Sequence, residues 1–181
     1  MARIDYADPS TLDGLAARAF ENAPPLNIFR MLAHAGPLFG RFMQFGQGIL
    51  GETELDPELR ELAILRVGHL CGAAYEVQQH ETIARQMKMR PALIEAARTG
   101  ETGDLTDIEA RVLAFTDDVV GNVRASDATF DPLIAALGIR QTQELTLTVG
   151  FYMLVSRFLE TFGVDLEAGE VPDLARMTRT T

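Results

Sequence analysis

A glutamate and a histidine lie four residues apart in the segment AAYEVQQHETIARQM. At this spacing Glu76 and His80 share one face of a helix, and Ile83 and Met87 continue the same face. A histidine beside a carboxylate can have its pKa set as general acid–base catalysis requires. Glu76 and His80 are therefore candidate catalytic residues. The alternative is an exposed pair that only stabilises its helix.

The segment that precedes this pair, PELRELAILRVGHLCG, is apolar on almost every face, which is typical of a buried helix. Glu61 shares a face with Ile64 and Leu65, and Arg66 lies on another apolar face. A charge on a buried helix is costly unless it is paired. Two hypotheses stay open for Glu61 and Arg66: a structural ion pair or subunit contact, and a functional role in a buried site.

Two further residues of this region are candidates for substrate binding. Tyr75 directly precedes Glu76 and could donate a hydrogen bond to a substrate, although such a tyrosine is more often packing with a solvated hydroxyl. Cys71 is the only cysteine, so the chain cannot form an internal disulfide. A lone cysteine is usually a small buried apolar residue, and a reactive thiolate is the alternative.

The sequence gives little support for a metal or nucleotide site. The three histidines are His34, His69 and His80, and none of them belongs to an HExxH or similar metal-ligand motif. No glycine-rich phosphate-binding motif is present. We therefore expect neither a metal nor a nucleotide cofactor.

Helical periodicity covers almost the whole chain, and alternating strand patterns are scarce. Asp56 with Pro57 marks one helix start, Asn27 is a candidate cap for an earlier helix, and Thr106 to Glu109 forms a capping box. The pattern predicts an all-α, single-domain helical bundle of about eight or nine helices, with a frayed tail from residue 167. The predicted helices span about residues 11–22, 28–35, 37–50, 57–70, 73–87, 91–98, 107–120, 127–137 and 141–162.

The composition of the chain limits the kinds of partner that it can bind. The 181-residue chain has 16 Lys and Arg against 26 Asp and Glu, a net charge of −10. This charge argues against binding to nucleic acid and to an anionic membrane surface. No apolar run reaches the roughly 20 residues that a membrane span needs, and the first residues lack a secretory signal, so we expect a cytoplasmic protein. Surplus apolar surface favours a homo-oligomer.

Residues 60–89, RELAILRVGHLCGAAYEVQQHETIARQMKM, resemble the carboxymuconolactone decarboxylase-like superfamily, which includes the alkyl hydroperoxidase D (AhpD)-like proteins. Residues 149–167 are similar to the closing helix of its longer members. The resemblance implies an AhpD-like helical domain over residues 55–167, an N-terminal helical extension over 1–54 packed on it, and a tail over 168–181. It also implies assembly into trimers or hexamers.

The peroxidase members of this superfamily carry a glutamate on one helix and a Cys-x-x-Cys-x-x-x-His motif on the next. Counted back from His80, the two cysteine positions are Ala73 and Glu76, and the glutamate position is Glu61. Cys71 lies outside the motif by two positions. The chain therefore cannot use the dithiol chemistry of those members, because a disulfide needs two sulfurs in bonding range.

The decarboxylase members need no metal or organic cofactor, and the remaining residues suit proton transfer. The resemblance implies a cofactor-free acid/base enzyme that decarboxylates or isomerises a small unsaturated lactone or keto acid through His80 with Glu61 and Glu76. The substrate is expected to be anionic, with Arg66 as its partner if that side chain faces the pocket. Two alternatives are a non-catalytic ligand-binding oligomer and a peroxide-reducing antioxidant protein that uses Cys71 alone.

Overall fold

The structure is a computed structural model that describes residues 1–21, 24 and 26–168. Within them the chain is all-α and contains no strand, as the sequence predicts. The eight helices are α1 (Gly14–Glu21), α2 (Asn27–Leu32), α3 (Pro37–Gly51), α4 (Pro57–Cys71), α5 (Ala74–Gln86), α6 (Pro91–Thr99), α7 (Asp107–Asn122) and α8 (Asp127–Phe162), with short 3-10 turns at Pro9–Thr11 and Ala33–Ala35.

Helix α4 forms the centre of the bundle. It contacts α5, α6, α7 and α8, and its residues from Leu62 to Leu65 have no solvent exposure. The carboxylate of Asp56 accepts hydrogen bonds from the backbone of Glu58 at 2.8 Å and of Leu59 at 3.2 Å, which confirms the predicted cap. Gly72 ends the helix in the left-handed region, at φ 66°, so the chain turns directly into α5.

Helix α8 consists of two helical segments divided at Gly138, which agrees with the prediction of two helices at 127–137 and 141–162. It runs from Asp127 to Phe162 as one element, interrupted by non-helical dihedral angles at Gly138 (φ 77°, ψ 175°). The glycine does change the backbone at the predicted position. The two halves still adjoin without a loop, and the hydroxyl of Thr142 donates to the carbonyl of Gly138 at 2.8 Å.

The chain beyond α8 returns to the N-terminal region. The predicted cap at Asn27 is wrong, because Asn27 is the first residue of α2 and its side chain instead donates to the carbonyl of Asp165 at 3.1 Å. The hydroxyl of Tyr6 also donates to the Asp165 carboxylate at 3.1 Å. These bonds fix residues 164–168 against the start of the chain. The rest of the predicted tail lies outside the described residues.

Several large apolar side chains remain exposed on α3 and α8, among them Leu38, Phe45, Leu147 and Leu154. The homo-oligomer stays a prediction, and these side chains are where subunit contacts would be sought. No helix of the described residues combines the length and the apolarity that crossing a membrane requires.

Candidate active site

Helices α4 and α5 bring the three predicted catalytic residues together. Nδ1 of His80 lies 2.7 Å from Oε2 of Glu61, and Nε2 lies 3.0 Å from Oε1 of Glu76. The helices pack closely because α4 has a glycine where they meet: a Cβ atom at Gly68 would lie 3.0 Å from Cγ2 of Val77. The imidazole is therefore held between two carboxylates, one from each helix.

All three side chains are buried, with exposures of 5% for His80, 0% for Glu61 and 4% for Glu76. Burial by itself lowers the pKa of His80, but the charge and hydrogen bond of Glu61, followed by those of Glu76, outweigh it and raise that pKa to about 10. His80 is therefore a cation at neutral pH. Both of its N–H groups donate to carboxylates, since the imidazolium ion has no acceptor nitrogen.

A cavity of about 100 Å³ adjoins the triad of Glu61, Glu76 and His80, between α2 and α3 on one side and α5 and α8 on the other. Glu76 and His80 line the cavity. Most of the remaining wall is apolar and includes Ile28, Phe42, Met43, Leu50, Phe151 and Val155. This volume is below that of an engineered apolar cavity of about 150 Å³ that holds benzene, so the cavity suits only a small, mostly apolar molecule.

Tyr75 also lines the cavity, but its hydroxyl is already engaged. It donates a short hydrogen bond to Glu167, whose carboxylate also accepts from the backbone N–H of Asn27 at 2.7 Å. Burial and the neighbouring Glu167 raise the pKa of Tyr75 far above its usual value. Tyr75 therefore joins α5 to the C-terminal segment, with its proton directed away from a substrate.

The structure does not bring Arg66 or Cys71 into the cavity. Nε and Nη2 of Arg66 contact the two carboxylate oxygens of Asp117 at 2.5 and 3.1 Å, and Nη1 donates to the carbonyl of Ala97 at 3.2 Å. Arg66 thus forms the structural ion pair that the sequence left open, joining α4 to α7 and to the C-terminus of α6. Cys71 is a partly exposed free thiol at the end of α4 and is not among the cavity residues.

Replacing Asp117 with asparagine tests this structural role. We expect Asp117→Asn to lower the free energy of unfolding by about 1–2 kcal/mol, because Arg66 loses a charged partner while the 41% exposure of Asp117 lets solvent screen the loss. Urea denaturation measures this change in the free energy of unfolding. The matched control is Glu95→Gln in the exposed pair with Arg98, which should change nothing measurable; equal effects of both variants would contradict the assignment.

Three residues around the site were not predicted from the sequence. Tyr152 of α8 lines the cavity, and its ring packs edge-on against His80 at 4.9 Å between centroids. Gln79 has a buried amide whose nitrogen and oxygen find no hydrogen-bond partner within the described residues. Arg60 is 2% exposed, and its positive charge acts on the pKa of the Tyr152 hydroxyl against the larger effect of burial. Gln79 could have been found from its place on the face of Glu76, and Arg60 from its charge on the buried helix α4, whereas Tyr152 lacked a local signal.

No group of three or more His, Cys, Asp and Glu side chains in the described part of the chain is arranged to hold a metal ion. The imidazole of His80 contacts one oxygen of each carboxylate, and the buried Oε1 of Glu61 has no hydrogen-bond partner within the described residues.

Comparison with known proteins agrees with this architecture. Residues 37–118 match the carboxymuconolactone decarboxylase family. A peroxidase-related protein from Ralstonia eutropha, described as an alkylhydroperoxidase AhpD core, superposes with a TM-score of 0.79 at 18% identity over 92% of both chains. A protein of unknown function from Agrobacterium tumefaciens, described in relation to the antioxidant defence protein AhpD, gives 0.70 at 21% identity over 76% of this chain and 96% of its own.

The fold is therefore that of the AhpD core. No curated protein sequence matches the chain. The match over residues 37–118 and the shared fold both support the resemblance of residues 60–89 to the carboxymuconolactone decarboxylase-like superfamily.

Proposed function

We propose that this protein catalyses proton transfer on a small carbonyl compound bound in the cavity, without a cofactor. The observation that carries the proposal is the imidazole of His80, held at 2.7 and 3.0 Å between two buried carboxylates at the wall of an apolar cavity. A buried, coupled acid–base group of this kind is costly to the fold and is typical of catalytic sites.

Glu76 is the group best placed to exchange a proton with the substrate, because it lines the cavity whereas Glu61 lies behind His80. In an isomerisation, its carboxylate removes a proton from a carbon beside the carbonyl and returns it to another carbon. The negative charge that develops on the substrate is stabilised by the His80 cation. Glu61 positions His80 and keeps it charged.

A decarboxylation uses the same groups differently. The bond to the carboxylate breaks, CO2 leaves, and its electron pair stays on the substrate carbon beside the cationic His80. A proton from the His80–Glu76 pair then adds to that carbon. Small unsaturated lactones and keto acids, the substrates suggested by the superfamily, suit both reactions, and the small apolar cavity supports compounds of that size.

The peroxide-reducing alternative is favoured by the descriptions of the two similar structures, but the residues of this chain do not support it. A dithiol peroxidase needs two sulfurs, and the chain has one cysteine. That cysteine, Cys71, is not among the residues that line the cavity. Replacing a histidine charged by two buried carboxylates with apolar residues is often neutral or stabilising, so the presence of this group favours an enzyme over a binding-only protein.

The test is a panel of small unsaturated lactones and keto acids, incubated with the protein in D2O and followed by proton NMR for deuterium uptake and CO2 release. We expect turnover of at least one compound. His80→Gln should lower the rate by about a hundredfold or more. His34→Gln is the matched control, because His34 is exposed and bonds only the carbonyl of Asp5; turnover that survives in His80→Gln would contradict the proposal.

A further inference from the structure

Proton abstraction beside a carbonyl places negative charge on the carbonyl oxygen, and an active site needs a hydrogen-bond donor for that oxygen. The donors of the cavity wall can be compared one at a time. Both N–H groups of His80 face carboxylates, at 2.7 and 3.0 Å. The hydroxyl proton of Tyr75 is directed to Glu167. These two residues therefore offer the substrate no uncommitted donor.

Two uncommitted donors remain deep in the wall, Tyr152 and Gln79, whereas Gln47, which also lines the cavity, has an exposed side chain. The amide nitrogen and oxygen of Gln79 are both shielded from a water-sized probe, so they lie beneath the surface of the cavity. The hydroxyl of Tyr152 has no hydrogen-bond partner in the described part of the chain. Tyr152 is 4% exposed and lines the cavity.

The position of Tyr152 relative to the triad is also suitable. Its ring meets the ring of His80 edge-on, at 4.9 Å and 88°, so both residues face the same small space. Burial, and then the carboxylates of Glu76 and Glu61, raise the pKa of Tyr152 well above its usual value. The hydroxyl therefore keeps its proton at every pH at which the protein would work, and remains a donor.

We propose that Tyr152 is a catalytic residue whose hydroxyl donates a hydrogen bond to the substrate's carbonyl oxygen while Glu76 exchanges a proton with the neighbouring carbon. This inference rests on the proposed function and narrows its substrates to enolisable carbonyl compounds. As the C–H bond breaks, its proton goes to Glu76 and its electron pair forms the enolate, whose oxygen accepts from Tyr152. Reprotonation at carbon restores the carbonyl group and the free carboxylate.

The test compares the wild type with Tyr152→Phe, which removes one oxygen atom from an unpaired hydroxyl and should leave the melting temperature unchanged. For the compound turned over fastest, we expect kcat to fall by about a hundredfold or more, with KM changed less than about threefold. Tyr6→Phe is the control for loss of a tyrosine hydroxyl, since Tyr6 bonds Asp165 away from the cavity. An unchanged kcat in Tyr152→Phe would overturn the inference.

A second readout separates this inference from the proposed function. Cyclopentanone labelled with ¹³C at the carbonyl is a small apolar ketone, and a hydrogen bond lowers its infrared carbonyl stretch. We expect a lowered stretch in the wild type and in Tyr6→Phe, and a higher one in Tyr152→Phe. Equal stretches in wild type and Tyr152→Phe would overturn the inference. A Tyr152-dependent stretch without any turnover would establish the hydrogen bond to the carbonyl oxygen but contradict the proposed function, and with it the catalytic role of Tyr152.

Discussion

The free energy of unfolding is expected to fall as the pH rises from about 6.5 to about 10. In the folded protein the pKa of His80 is raised to about 10, because Glu61 and Glu76 together outweigh the effect of burial. In the unfolded chain a histidine has a pKa near 6.5. The folded state therefore holds one more proton between these values, and stability decreases by about 1.4 kcal/mol per pH unit there.

The direction of this change in stability follows from which state, folded or unfolded, binds the proton. Below about pH 6.5 both states carry the proton, so the stabilisation of the His80 cation by its two carboxylates is fully present. Above about pH 10 both states have lost the proton and the stabilisation is gone. Urea denaturation at half-unit steps from pH 6 to pH 9.5 measures the decrease.

His80→Gln should remove most of this dependence on pH, whereas His34→Gln should keep it. The comparison is matched because both variants replace a histidine with a neutral amide, and only His80 lies between carboxylates. If the two variants lose stability with rising pH at the same rate, His80 is not the group that titrates, and the charged triad does not exist in solution.

The parts of the fold that follow from local chemistry could be predicted from the sequence. The cap at Asp56 and the capping box at Thr106 and Glu109 are both present, because each depends on residues within one helical turn. The burial of α4 follows from its apolar residues on every face. The cap at Asn27 failed for a non-local reason, since its side chain binds Asp165, 138 residues away.

The site was predictable to the extent that its residues share a helix or a family motif. Glu76 and His80 follow from their spacing, and Glu61 from the resemblance. Which way Arg66 faces depends on Asp117 and on the end of α6, and nothing in the sequence of α4 indicates that arrangement. Tyr152 lies on a long apolar helix, where periodicity marks residues as buried without distinguishing a cavity wall from the core.

The position of Glu76 makes the substitution of this residue especially informative. In the peroxidase members that the sequence resembles, a cysteine of the Cys-x-x-Cys pair takes this place, next to the same histidine. Here a carboxylate lies 3.0 Å from Nε2 of His80 and lines the cavity. If the scaffold supports proton transfer in this chain, the carboxylate at residue 76 is the group that replaces the thiol as the reacting side chain.

Glu76→Gln is therefore expected to reduce deuterium uptake by the best substrate by about a thousandfold, because an amide keeps the shape of the side chain but cannot accept the proton. The pKa of His80 should fall as well, since one of the two charges that raise it is lost. NMR of the substrate measures the deuterium uptake, and NMR of the histidine ring measures the pKa of His80.

Glu81→Gln is the matched control for this variant. Glu81 lies on the same helix and makes the same four-residue contact, at 2.6 Å to Arg85, but it lies outside the cavity. It should keep the wild-type rate and the wild-type pKa of His80. Full activity in Glu76→Gln would show that another group is the base. Lost activity together with a lowered pKa of His80 would establish that one carboxylate both keeps the histidine charged and reacts with the substrate.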